Sequence, residues 1–157
     1  MPEAVPASLS ISFAAATAQD AEALVALRIA AMRESLERIG RFDPARARDR
    51  FLAGFAAEHT QHIVQAEARI GFYVLKPADA ALLLDHLYIQ PGHQGRGVGA
   101  AVLAHVFAQA DAQGLAVRVG ALRGSDSNRF YLRHGFALAE QGDFDNYYIR
   151  PAALLAT

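Results

Sequence analysis

A mixed α/β domain, with a mostly antiparallel sheet, one parallel strand pair and flanking helices, is the fold class this sequence predicts. Three observations carry it. Apolar residues switch between alternation, as at Leu9, Ile11 and Phe13, and helical stripes, as at Val25, Ile29, Met32, Leu36 and Ile39, within 157 residues. Strand-like runs between residues 63 and 89 follow one another across short turns, which favours antiparallel neighbours. The runs at 83–89 and 115–122 are joined through a helical pattern, and a strand–helix–strand crossover makes its two strands parallel.

Residues 1–8 carry two prolines and little to pack, and read as a loose tail ahead of one domain over 9–157. Leu9, Ile11 and Phe13 alternate with serines as a first strand. Thr17 is expected to cap a helix with Asp20 in its first turn, the apolar stripe running on to Gly40. Asp43-Pro44 restarts the chain as N-cap and first helical residue, with Ala47, Phe51 and Phe55 on one face. Ile63 and Val64 mark a second strand, a turn falls near Ala68, and a third strand spans 70–75. Pro77-Ala78-Asp79 reads as the turn into a fourth strand, 83–89, which Pro91-Gly92 stops. A third helix covers 98–113 and ends at Gly114, before the fifth strand. Ser125 or Asp126 caps a fourth helix ending near Gly135, and strands at 136–140 and 144–149 close the chain around Gln141-Gly142-Asp143. The order is β-α-α-β-β-β-α-β-α-β-β.

Composition narrows the function classes. The sequence holds no cysteine, so neither a disulfide nor a thiol nucleophile is on offer. Net charge is −1, giving no general pull toward nucleic acid or an anionic membrane. No apolar run reaches membrane-spanning length, and Met1-Pro2-Glu3 lacks the basic start of a signal peptide, so a cytoplasmic protein is expected. The pair His59 and His62 invites a metal reading. On a strand, an offset of three points the rings to opposite faces, and His93, His105 and His134 have no ligand spacing, so no metal is expected.

The stretch after the fourth strand carries the chemistry. Glycines stand at 95, 97 and 99, where a helix begins, and a helix start offers unpaired N–H groups and a positive dipole end to an anion. A P-loop would need Lys-Ser/Thr after its last glycine, where Ala100-Ala101 stand. A dinucleotide fingerprint fits Gly95, Gly97 and Ala100, but residues 90–94 separate it from the strand and the next strand ends without an acid. A glycine-rich turn without a ligand does not explain why the glycines lie at a helix start.

Gln94-Gly95-Arg96-Gly97-Val98-Gly99 has the form Gln/Arg-x-x-Gly-x-Gly/Ala, and here the sequence resembles the GNAT superfamily of acyl-CoA-dependent N-acetyltransferases. A second motif supports this, as Phe130-Tyr131-Leu132-Arg133-His134-Gly135-Phe136 looks like the family's F-Y-x-x-x-G-F. The likeness covers residues 9–150 and implies a GNAT-like fold. It implies that Gln94, Gly95, Arg96, Gly97, Val98, Gly99 and Ala100 meet the pyrophosphate of acetyl-CoA, mostly through backbone N–H groups. Backbone groups of Leu87, Tyr88 and Ile89 would pair with pantetheine. One departure stands out: the family often has asparagine six residues before this tyrosine, where Ser125 stands, and Asn128 offers an amide one turn later instead.

The resemblance also assigns catalytic roles. Tyr131 is expected to protonate the leaving thiolate, since a phenol near pKa 10 sits close to a thiol near 8.5. For the base, Asp85 and His86 face opposite sides of the fourth strand. Asp85 is expected, because family members often use an acid there; Glu34 and Glu37 are weaker candidates. The expected reaction is acetyl transfer to a primary amine, from a small molecule before a protein, by direct attack in a ternary complex. A non-catalytic acyl-CoA-binding domain and, further off, a nucleotide-dependent oxidoreductase are the rivals. The acceptor would be gripped between the first two helices and by residues 143–148, where acids suit a cation and Arg33, Arg38 and Arg41 suit a carboxylate. Look-alikes are often homodimers.

Overall fold

The computed structural model describes residues 10–153, so the tail at 1–8 and Leu9 lie outside the described residues. Elements run β1 (Ile11–Ala15), α1 (Ala21–Arg38), α2 (Pro44–Gly54), β2 (Thr60–Gln65), β3 (Ala68–Ala78), β4 (Ala81–Ile89), α3 (Val98–Gln113), β5 (Ala116–Leu122), α4 (Ser127–Arg133), β6 (Ala137–Gln141) and β7 (Asp145–Arg150). This is the predicted order. The strands form a seven-stranded sheet, β1-β2-β3-β4-β5-β7-β6, with β4 and β5 parallel. β7 enters between β5 and β6 and is antiparallel to both.

Several boundaries differ from the predicted ones for local reasons. Thr17 caps a 3₁₀ turn, Ala18–Asp20, before α1 begins, and the Asp20 carboxylate accepts from the Thr17 amide at 2.8 Å. α1 ends as expected: Gly40, at φ +70°, lets the Arg41 amide reach back to Leu36 O at 2.8 Å. Its apolar stripe fades, since Leu24 and Val25 are buried whereas Ile39 is exposed. β3 overruns the turn expected at Pro77 and reverses at Asp79-Ala80, both with positive φ, as do Ala66-Glu67 between β2 and β3. Two positive-φ residues in a row make a two-residue hairpin whose twist suits the strands. Pro77 is tolerated because the β2 ladder ends at Val74, so its missing N–H deprives no neighbour there.

Two compact units divide the chain. The first comprises residues through Val74 with His86–Ala101. Its core packs Leu24 and Val25 of α1 and Phe51 of α2 against Phe72 and Val74 of β3, with Tyr88 and Phe55 partly buried alongside. His62 of β2 is buried and lies 3.0 Å from Asp20, whose other oxygen takes Arg69 at 3.1 Å. A carboxylate only accepts, so the His62 Nε2 carries the proton of that bond. The second unit comprises Leu75–Asp85 with the residues from Val102 onward. Val102, Leu103, Val106 and Ala110 of α3, Val117, Val119 and Ala121 of β5, and Tyr131, Phe136 and Tyr148 are its buried residues of note. Arg150 closes it, gripping Asp111 through two nitrogens at 2.6 and 3.2 Å with its guanidinium over Phe107. Among the described residues no helix is long and apolar enough to cross a membrane.

Candidate active site

In the first unit, β4 ends at Ile89 and the chain turns through a single 3₁₀ turn, Pro91–His93. The Gln90 amide still donates to Ile70 O at 2.7 Å, so the loop leaves from a fixed point. Gln94 then reaches back, its Nε2 donating to Ile89 O at 3.0 Å. Its side chain braces the loop, and its own amide closes the 3₁₀ turn on Pro91 O at 3.4 Å. Gly95 and Gly97 have φ of +75° and +82°, the left-handed region that a Cβ disfavours. α3 begins at Val98, and the Ala101 amide makes its bond to Gly97 O at 3.1 Å. Helix geometry leaves the amides of Val98, Gly99 and Ala100 without intrahelical acceptors. Val98's side chain is buried and serves the core, while Arg96 is exposed. Three donors at a helix start, reached through glycines, fit a pyrophosphate group.

The strand before this loop is held by a close backbone approach. A Cβ on Gly71 would fall inside contact distance of Tyr88 O and 3.2 Å from Ile89 Cα. Only glycine lets β3 run so near this part of β4. The Tyr88 ring lies 5.6 Å from both Phe72 and His86, and its hydroxyl is 3.3 Å from His86 Nδ1. His86 also meets the Phe51 ring at 5.3 Å. Leu87, Tyr88 and Ile89 are all half-buried.

Three further expected residues lie in the second unit. Asp85 is exposed and sits 3.0 Å from Lys76 Nζ. Tyr131 is buried on α4, its ring 5.4 Å from Phe130, 5.2 Å from Phe136 and 6.3 Å from Tyr148. The whole amide of Asn128 is engaged within the protein. Its Nδ2 donates to Leu122 O and Ser125 O, both at 2.9 Å, and its Oδ1 accepts from Asn146 Nδ2 at 2.9 Å and Tyr148 Oη at 2.7 Å. Both donors and both lone pairs are thereby used, so this side chain ties α4 to β5 and β7. Asp126 takes the N-cap position of α4, one of the two expected, but makes no side-chain cap bond, and the Ser125 hydroxyl donates to Leu122 O at 2.7 Å. The turn between β6 and β7, expected to face an acceptor, is pinned by Arg123, whose amide donates to Phe144 O at 2.8 Å.

His59 lies on a 3₁₀ turn, Ala57–His59, and not on the strand with His62 as the sequence reading assumed. Among the described residues no group of three or more His, Cys, Asp or Glu is placed to hold a metal ion. Arg33 and Arg38, expected as carboxylate binders, pair with Glu37 and Glu34 one turn away on α1. Residues the sequence reading missed are Gly71, which seats β4, and Arg28 of α1, whose guanidinium lies over the Tyr88 ring. Gly71 is one of 12 glycines and Arg28 one of many arginines, so neither carried a signal of its own.

A sequence model of the acetyltransferase (GNAT) domain matches residues 53–138, which hold the loop, α3 and the Tyr131 motif. The chain belongs to the GNAT acetyltransferases. As a GNAT enzyme it carries out acyl-CoA-dependent acetyl transfer, with acetyl-CoA as its co-substrate. Solved structures share the fold. The PaiA N-acetyltransferase of Thermoplasma acidophilum, solved with coenzyme A, superposes with a TM-score of 0.75 at 16% identity, over 90% of this chain and 99% of that one. An acetyltransferase from Thermus thermophilus gives 0.71 at 20% identity, over 92% and 98%. No curated protein matches the chain in sequence.

Proposed function

We propose that this GNAT enzyme moves an acetyl group from acetyl-CoA to the primary amine of a small acceptor, by direct attack while both are bound. The observation that carries the reading is the glycine loop at the start of α3, where Val98, Gly99 and Ala100 stand in the first turn, whose amides have no intrahelical acceptor, beside Gly95 and Gly97 at positive φ. The cofactor set is Gln94 through Ala100 at the pyrophosphate and backbone groups of Leu87, Tyr88 and Ile89 along pantetheine. Asn128 acts by holding α4 in place. Tyr131, assigned from its place in the motif, protonates the sulfur as the thioester carbonyl is attacked and the C–S bond breaks, so CoA leaves as a neutral thiol.

The amine must lose a proton to attack. Deprotonating an alkyl ammonium near pKa 10.4 costs about 4–5 kcal/mol at neutral pH, which favours a base. Asp85 is the proposed base, and its ion pair with Lys76 would have to open for it to act. His86, half-buried among Phe51, Phe72 and Tyr88, is the other candidate, and Asp85→Asn beside His86→Asn would separate them by which variant recovers at high pH. Direct attack is supported by the absence of any cysteine in the sequence to carry an acyl group. Thiol release from acetyl-CoA with a broad amine panel tests the reading. Tight acetyl-CoA binding with no thiol released under any amine would leave an acyl-CoA-binding domain in its place.

A further inference from the structure

Arg28 stands out within the first unit because the protein does not complete its bonding. Its Nε and Nη1 are buried with no hydrogen-bond acceptor. The contact that does hold the guanidinium is the Tyr88 ring, 5.8 Å from Cζ to the ring centroid, near the outer limit of a cation–π contact. A guanidinium cannot shed its charge to relieve this, since it stays protonated at any working pH. Nor are the acids of its own helix at hand: Glu22 pairs with Arg48, Glu34 with Arg38 and Glu37 with Arg33. Asp20, just before α1, is taken by His62 and Arg69. Buried donors left without acceptors are costly, and native chains keep few of them without a reason.

The surroundings say what would complete the site. Tyr88 joins Arg28 to an aromatic group, with His86 at 5.6 Å, Phe72 at 5.6 Å, and Phe51 beside both His86 and Phe72. Phe51 and Phe72 belong to the core, so the half-buried rings of Tyr88 and His86 are what an acceptor's short carbon skeleton would meet, and the guanidinium beside Tyr88 suits a single flat anion. We propose that Arg28 binds a carboxylate of the acceptor, and that the acceptors are therefore amines of the free amino-acid class. The inference rests on the acetyl-transfer reading above and names the substrate class of that site. One planar, singly charged fork matches a carboxylate in charge and in geometry, whereas a phosphate dianion would call for more positive charge than Arg28 alone supplies. Arg28 as a whole is only half-buried, so rotation about its terminal torsions turns the guanidinium to a ligand without moving α1.

The test uses the intact protein, acetyl-CoA, and L-amino acids each set beside its own carboxamide, with thiol release as the readout. The carboxamide's amine is the more acidic of each pair, so a preference for the amino acid cannot arise from ionisation of the nucleophile. We expect wild type to favour the amino acid by about tenfold or more in kcat/KM, the size of a charge-assisted bond. Arg28→Gln should bring that ratio near one, chiefly through KM, while kcat/KM for the carboxamides stays within about threefold. Arg28→Lys, keeping the charge without the fork, should fall between. Because the buried donors are unmet, Arg28→Gln should melt at the wild-type temperature or above it. An equal rate for acid and amide in wild type, or a ratio unchanged in Arg28→Gln, overturns the inference while leaving acetyl transfer standing. A loss of stability with equal losses on both substrates would make Arg28 a structural residue and overturn it too. Should calorimetry show no acetyl-CoA binding by wild type, the underlying reading fails first, and this inference with it.

Discussion

Asn128 is the residue whose removal has the most calculable consequence. In Asn128→Ala the Leu122 carbonyl keeps the Ser125 hydroxyl at 2.7 Å, so it is not stranded. Two donors are: the hydroxyl of Tyr148, a residue only 4% exposed, and the Nδ2 of half-buried Asn146. A buried donor left without a partner costs roughly 1–3 kcal/mol, so the variant should lose about 2–4 kcal/mol. At about 2–4 °C per kcal/mol for a chain of this size, melting should fall by roughly 5–15 °C. A double-mutant cycle with Tyr148→Phe, read by urea unfolding, isolates the bond. Alone, Tyr148→Phe should cost about 1 kcal/mol, because Oδ1 keeps Asn146. Added to Asn128→Ala it should cost nothing or restore stability, since it deletes the stranded hydroxyl. Additivity of the two changes to within about 0.5 kcal/mol would refute the hub.

Three other perturbations follow from the same structure. Gly71→Ala places a methyl against Tyr88 O and should cost about 1–3 kcal/mol, with weaker acetyl-CoA binding as β4 shifts; wild-type melting and affinity would show that the strands have room. Tyr131→Phe should keep acetyl-CoA affinity within a few-fold and lower turnover by roughly tenfold or more, as for a contact made once charge grows on sulfur; a folded variant turning over at the wild-type rate would end that role. The bond from His62, then the Thr17 amide and Arg69, holds the Asp20 carboxyl well below its ordinary 3.8. A depressed carboxyl stabilises the fold fully above that ordinary value and progressively less as pH falls below it, so acid unfolding of wild type should steepen below about pH 4 and flatten in Asp20→Asn, which at neutral pH should cost about 1–3 kcal/mol. Parallel acid limbs for the two proteins would exclude Asp20 as the linked group.

Where the sequence reading of the fold succeeded, the deciding forces were local. Gly40, Gly114 and Gly135 end their helices with φ of +70°, +67° and +90°, and Asp43 caps α2 by accepting from the Arg46 amide at 3.1 Å. Where it failed, a distant strand decided. Pro77 reads as a break because a proline in mid-sheet usually is one, but the partner strand ends three residues earlier and nothing in the local sequence says so. The position of β7 between β5 and β6 is likewise set by pairing, with Val119 opposite Tyr148 and Leu138 opposite Tyr148 on its other side. Alternation within each strand is the same whichever neighbour it takes.

The candidate site divides along the same line. A glycine loop at a helix start announces itself in sequence, because the glycine spacing and the helical pattern that follows are both read locally. Side chains that work through partners do not. Asn128 and Arg28 make the contrast plain: each is a polar residue on a helix, and each reads equally well as solvated, structural or ligand-binding. The difference appears only when donors and acceptors are counted in three dimensions. Asn128 spends both donors and both lone pairs on Leu122, Ser125, Asn146 and Tyr148, so a ligand could gain its amide only by breaking the fold. Arg28 holds two buried donors that the fold leaves unmet, so a ligand carboxylate would gain bonds without breaking any. The asparagine that sequence reasoning chose for the ligand is the saturated one, and the arginine it passed over has bonds to give.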